Sequence, residues 1–168
     1  RCASASIATR FSAMSTLAEI KITPWPWSIA SKHCQRGDLT ETEHLVWSLD
    51  RGAPYVPSPT VWGEEIYLLE DRSFFSCLNA IGGSPHYFKE RLPGVLNFSA
   101  SPTGAKDRIY LLSEDGKGVV LRRGPKLEIL AVNELDGTFF ASPALVGDSL
   151  YLRSHEALYR FSRSSAEN

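Results

Sequence analysis

The residues of this chain whose types can carry chemistry are three cysteines, four histidines and a few polar clusters. Cys2, Cys34 and Cys77 are an odd number with no adjacent pair and no C-x-x-C spacing. They define neither a disulfide framework nor a zinc site and read as unpaired small hydrophobes. His33, His44, His86 and His155 are scattered among loops and strand edges without metal-ligand spacing, which leaves them surface or hydrogen-bonding roles. Gly82-Gly83-Ser84-Pro85-His86 sets a serine near a histidine, but it is not G-x-S-x-G and falls between strands, so it reads as a turn. Gly116-Lys117-Gly118 lacks the remainder of a phosphate-binding loop and lies inside a hairpin. No D-x-D-x-D-G run or similar oxygen cluster offers a calcium site. Arg122-Arg123 beside Lys126 would make at most a small anion patch, and solvated charges at a turn are the commoner arrangement. Arg36-Gly37-Asp38 spells an adhesion tripeptide and Asn97-Phe98-Ser99 a glycosylation sequon; the first coincides with a loop and the second leads into a strand. No residue is therefore nominated as catalytic, cofactor-binding or metal-ligating.

Composition narrows the partners. Lys plus Arg is 18 against 19 Asp plus Glu, a formal charge of -1, which supplies no basic field to hold phosphates and disfavours nucleic acid. With 43% hydrophobic and 22% charged residues the chain has the make-up of a soluble globular domain. No apolar run approaches the roughly 18 residues of a membrane span. Arg1 in place of Met points to a processed chain or a piece of a longer one.

The elements that must hold these residues are organised by an internal repeat. Ser58-Pro59, Ser101-Pro102 and Ser142-Pro143 are spaced by 43 and then 41 positions, and the aliphatic-Tyr-Leu triplets opening at Ile66, Ile109 and Leu150 step by the same two intervals. Two independent marks share one period, and a period near 42 fits the four-strand blade of a propeller. Each unit predicts a hairpin: a short strand after Ser-Pro, a polar turn, then a β-rich run centred on Tyr. A second hairpin follows, through 70–73 to Phe74–Leu78, through Glu114–Gly118 to Val119–Leu121, and through 154–156 to Ala157–Phe161. Asp115-Gly116 is a strong turn dipeptide. The remaining strand is expected ahead of each Ser-Pro pair, at Leu45–Leu49, Tyr87–Leu92 and Ile129–Leu135. From about Thr40 to Arg163 the chain reads as nearly all β.

Residues 1–35 carry neither repeat mark. Ile7, Phe11, Met14 and Leu17 share a helical face, and residues 1–18 are Ser-rich without an acid, the composition of an organelle transit peptide. A degraded piece of a preceding blade, or a short amphipathic segment packed on the sheet, is the preferred account of them. Trp25-Pro26-Trp27 is no central strand, because Pro26 has no amide to give.

From Arg36 to Arg163 the repeats resemble the bacterial quinoprotein-like propeller family, with pyrroloquinoline-quinone-type repeats in seven or eight four-stranded blades. The marks are Arg36-Gly37-Asp38-Leu39-Thr40-Glu41-Thr42, Trp47, Gly52-Ala53-Pro54-Tyr55-Val56-Pro57-Ser58-Pro59, Phe98-Ser99-Ala100-Ser101-Pro102 and Ser113-Glu114-Asp115-Gly116. Family repeats close on an Asp, a Thr-Gly pair and a Trp that docks between blades. Here that stretch is Asn79-Ala80-Ile81-Gly82-Gly83-Ser84-Pro85-His86-Tyr87: the Asp and Thr are gone and Tyr87 stands for the indole, while Trp47 retains it. Both rings are expected to pack between sheets, since one such ring buries roughly 150–250 Å².

The resemblance implies an all-β, partial β-propeller of about three four-stranded antiparallel blades, a fragment of a seven- or eight-bladed ring. Residues 1–35 would be an irregular or degenerate segment, 36–163 the blades and 164–168 a tail. Catalytic members of the family hold their quinone against an adjacent Cys-Cys disulfide and use an Asp base with calcium. Neither an adjacent pair nor a calcium cluster is present here, so no cofactor is expected and the non-catalytic branch is favoured. The implied role is a scaffold binding a protein or small ligand, with the remaining blades of a parent chain as neighbours, in an exported, periplasmic setting. A piece of a quinone-dependent dehydrogenase and an outer-membrane-protein assembly propeller are the alternatives.

Overall fold

The computed structural model describes residues 27–30, 45–49, 51–94 and 97–162. The chain divides between Ser48 and Leu49. On the first side, β1 (Trp27–Ala30) and β2 (Leu45–Leu49) pair in a two-stranded sheet. The absence of repeat marks before residue 36 gives no hint of β1, which opens directly after Pro26. The helical face of Ile7, Phe11, Met14 and Leu17, and the tail 164–168, lie outside the described residues.

The second unit is a series of meanders. β3 (Thr60–Trp62), β4 (Glu65–Leu69), β5 (Phe74–Asn79) and β6 (Pro85–Arg91) form one antiparallel sheet. β7 (Thr103–Ala105), β8 (Arg108–Leu112), β9 (Lys117–Arg122) and β10 (Ile129–Glu134) form the second. β11 (Ala144–Val146), β12 (Ser149–Arg153) and β13 (Leu158–Ser162) make a third, three-stranded among the described residues. The leading strands β3, β7 and β11 are neighbours in space, and no helix occurs among the described residues. This is a partial β-propeller, with both expected hairpins of each unit in place.

One grouping is corrected. The sequence reading puts the outer strand ahead of each Ser-Pro pair, whereas β6 pairs with β5 and β10 with β9, so the outer strand closes the sheet that Ser-Pro opens. Connection length decides this. Only residues 80–84 separate β5 from β6, a hairpin loop, while 92–102 is long enough to step to the next sheet. Leu45–Leu49 accordingly pairs with β1.

The repeat marks are joints between sheets. Ser58 donates its amide to Ser101 Oγ (2.8 Å), and Ser101 donates its amide to Ser142 Oγ (2.9 Å). The Thr60 and Thr103 hydroxyls donate to the carbonyls of Pro102 and Pro143 at 2.7 and 2.8 Å. The linkers are stitched as regularly. Phe98 and Phe139 donate their amides to the Asp71 and Glu114 carbonyls, while Asn97 and Thr138 carbonyls accept from Glu114 and His155. Both phenylalanines are buried.

The turns repeat too. Ser113 Oγ accepts the Lys117 amide at 2.8 Å, and at the matching position Ser154 Oγ accepts the Ala157 amide at 2.9 Å. At Gly116 φ is +86°, and a Cβ would overlap the Leu135 carbonyl oxygen, so both conformation and space demand glycine.

Candidate functional site

The seams between consecutive sheets are where side chains of chemical interest collect. Along a strand, alternate residues share a face, and directly paired residues share it across strands. The registers Tyr67↔Cys77, Leu69↔Phe75 and Cys77↔Tyr87 therefore set these five side chains on one face of the first sheet. Ile109↔Leu121 and Leu111↔Val119 set four aliphatics on the facing side of the second sheet. Together they make the main core, which Phe98 completes. Tyr67 stacks on Phe75 at 5.9 Å between ring centroids, and Phe75 meets Tyr87 at 6.1 Å. The docking role expected of Tyr87 is thus its observed one, while Trp47 sits half-buried on β2.

Polar links cross this first seam. Tyr67 OH accepts the Gly124 amide at 3.0 Å. Glu65 Oε2 receives Arg123 through Nη2 at 2.7 Å and Nε at 3.0 Å. Trp62 donates its indole N–H to the Lys106 carbonyl at 3.0 Å, its ring lying where a Cβ on Gly104 would stand 2.9 Å from the ring carbons. Sequence reasoning passed over Trp62. Its signal is the small residue Gly104 at the repeat position held elsewhere by Val61 and Leu145.

Burial sets the ionisation of the core. It pushes the Cys77 thiol up to about 12 and raises both the Tyr67 and Tyr87 phenols, the Gly124 bond offsetting only part of the effect at Tyr67. A fully buried, protonated thiol flanked by protonated phenols offers neither a nucleophile nor a base near neutral pH. The Asp115 carboxyl moves the other way. The Ser113 hydroxyl donates to it and Lys117 Nζ stands 3.3 Å away, and both hold it below the usual carboxylate range.

The second seam is built differently. Tyr110, Leu112, Gly118 and Val120 take the positions of Tyr67, Leu69, Phe75 and Cys77, at the same interval of 43. Ala131 is the partner of Val120 as Tyr87 is of Cys77. Two of the three rings are therefore missing. Ala100, Leu112, Phe139 and Leu152 close one end of the seam, with Tyr159 6.1 Å from Phe139. The remainder is a cavity of about 430 Å³ between β8–β10 and β11–β13, bounded mostly by apolar atoms.

The other residues raised by the sequence are accounted for singly. Gly82-Gly83-Ser84-Pro85-His86 is the β5–β6 connection: Asn79 Oδ1 accepts the Ile81 and Gly82 amides at 3.0 and 2.8 Å, and Ser84 gives its carbonyl to the Asn79 amide. His86 is exposed on β6, and His155 lies against Phe140 at 5.2 Å. Arg122 is engaged by Glu128 and Asp107, and Arg123 by Glu65, so the arginines serve carboxylates of this chain. Lys117 Nζ caps the Gly94 carbonyl at 2.8 Å. Phe98 of the sequon is buried and Ser99 Oγ donates to Glu114. Cys2, Cys34, His33, His44 and Arg36-Gly37-Asp38 lie outside the described residues. Among the described residues no three acidic, His or Cys side chains cluster as for a metal, and no helix is long and apolar enough to cross a membrane.

No family model and no curated protein matches the chain. Among solved structures it is similar to BamB from Moraxella catarrhalis, at 16% identity and a TM-score of 0.54, covering 72% of this chain and 37% of that one. It is also similar to a europium-containing methanol dehydrogenase, at 12% identity and a TM-score of 0.49, covering 74% of this chain and 24% of that one. At such identities the likeness is one of fold: the BamB match fits the sheets of a β-propeller, and the chain spans well under half the length of either protein.

Proposed function

We propose that the chain is a non-catalytic propeller scaffold, a protein- or ligand-binding module of an exported bacterial protein. The observation that carries this reading is where the reactive side chains are spent. Ser99, Ser101, Ser113, Ser142 and Ser154 close turns and seams, Glu65 and Arg123 tie one sheet to the next, and the thiol and two phenols are core. A chain whose serines close its turns and seams, with an ion pair between two of its sheets, is suited to holding sheets in place and offering loops.

The neighbours of these sheets are further blades. Tyr55 stands at the repeat position of Phe98 and Phe139, both buried in seams, yet Tyr55 is 87% exposed. An exposed ring of that size is apolar surface available to a further blade.

The test is uptake of pyrroloquinoline quinone with calcium. Titrating the quinone and calcium into the chain should leave the chromophore spectrum that of the free compound. Saturable uptake would overturn the non-catalytic reading in favour of a quinone-dependent enzyme.

A further inference from the structure

The cavity between the second and third sheets has the dimensions of a binding pocket rather than of a packing flaw: about 430 Å³ lies within the range of roughly 300–1,000 Å³ typical of small-molecule sites. Its shape is set by comparison with the seam before it. There, Phe75 and Tyr87 lie beside Tyr67 and fill the space between sheets. Here, Gly118 and Ala131 hold those two places, and Tyr110 alone remains. Gly118 is not glycine for want of room or for backbone reasons. A Cβ there would touch only the Asn133 carbonyl oxygen, at 3.9 Å, and its φ is not in the left-handed region. Leu150, Leu152 and Phe161 of the third sheet form the opposite wall, and Tyr110, Asn133 and Glu134 are the polar residues of the lining.

We propose that this cavity binds a small planar aromatic molecule, seated over Gly118 in the place that the Phe75 ring takes in the first seam and flanked by Tyr110 and Phe161. The inference rests on the reading of the chain as a binding module and names the ligand class for one of its seams. An aromatic guest suits the walls because offset stacking on Tyr110 adds to the burial of apolar area, while Glu134, the one charged residue of the lining, disfavours an anionic guest.

Indole is the probe, titrated into the full chain and followed by saturation-transfer NMR and thermal unfolding. Saturable binding with a Kd on the order of 0.1–1 mM is expected for so few atoms. Gly118→Phe fills the cavity with the residue of the first sheet, and should weaken indole at least tenfold while raising Tm without ligand. Should that variant fail to fold, Val120→Phe enlarges a side chain of the lining itself and should weaken indole likewise. Absence of saturable binding, or binding undiminished in the folded filled variant, overturns the proposal. Neither result bears on quinone uptake, so failure here and failure of the non-catalytic reading are told apart.

Discussion

At the scale of single residues, chemistry-bearing types are converted into structure by burial. Cys77 is the clearest case, with no exposure and a thiol held at about 12 against an ordinary value of 9.0. Because the folded chain holds this proton more tightly than the unfolded one, the stability involved is complete below pH 9.0 and is lost as pH rises toward 12. Two measurements check this. In native protein at pH 8, the peptide containing Cys77 should escape iodoacetamide and become alkylated only on unfolding; the unfolding free energy should fall as pH is raised above 9. Ready alkylation of Cys77 in the folded chain would contradict the burial. The reading of Cys77 as a small hydrophobe was legible from the absence of any partner cysteine at a useful spacing. Trp62 was not, because its partner Gly104 is distant in sequence and acquires meaning only once two sheets lie face to face.

At the scale of elements, the two repeat marks made the hairpins legible, since Ser-Pro and aliphatic-Tyr-Leu recur at one interval and strands alternate at another. What Ser-Pro is for was not legible: its serine belongs to a joint with a neighbouring sheet, and a hydrogen bond between residues some forty positions apart leaves no local pattern. Nor was the ownership of the outer strand, because a periodic sequence has no preferred starting point and only the 80–84 hairpin fixes the frame. Each joint can be weighed. Ser101→Ala removes the acceptor for the Ser58 amide, and Ser142→Ala removes that for Ser101; each should cost about 1 kcal/mol in urea unfolding. The two changes act on different seams and should add to within about 0.5 kcal/mol in the double variant. A double variant no less stable than either single one would show that the joints do not act separately.

At the scale of the whole second unit, the sheets decline in burial from first to third. β4 and β5 are buried along nearly their full length, whereas β13 is mostly exposed. The registers Val146↔Ser149 and Arg153↔Leu158 put Val146 and Leu158 on the face turned away from the second sheet, at 64% and 69% exposure. Bare aliphatics on a sheet face favour pairing with a second surface. Sedimentation velocity should show concentration-dependent association of this chain, reduced in Leu158→Lys; a monomer at all concentrations in the parent would remove the basis for that expectation. The serine joints carry one consequence of their own. Since the same two bonds fasten the first sheet to the second and the second to the third, a unit can be duplicated or deleted whole and the flanking units still meet a matching fastener. Descent by copying then changes how many units a chain has without redesigning any of them, and leaves later substitution, as at Gly118, free to make one gap unlike the rest.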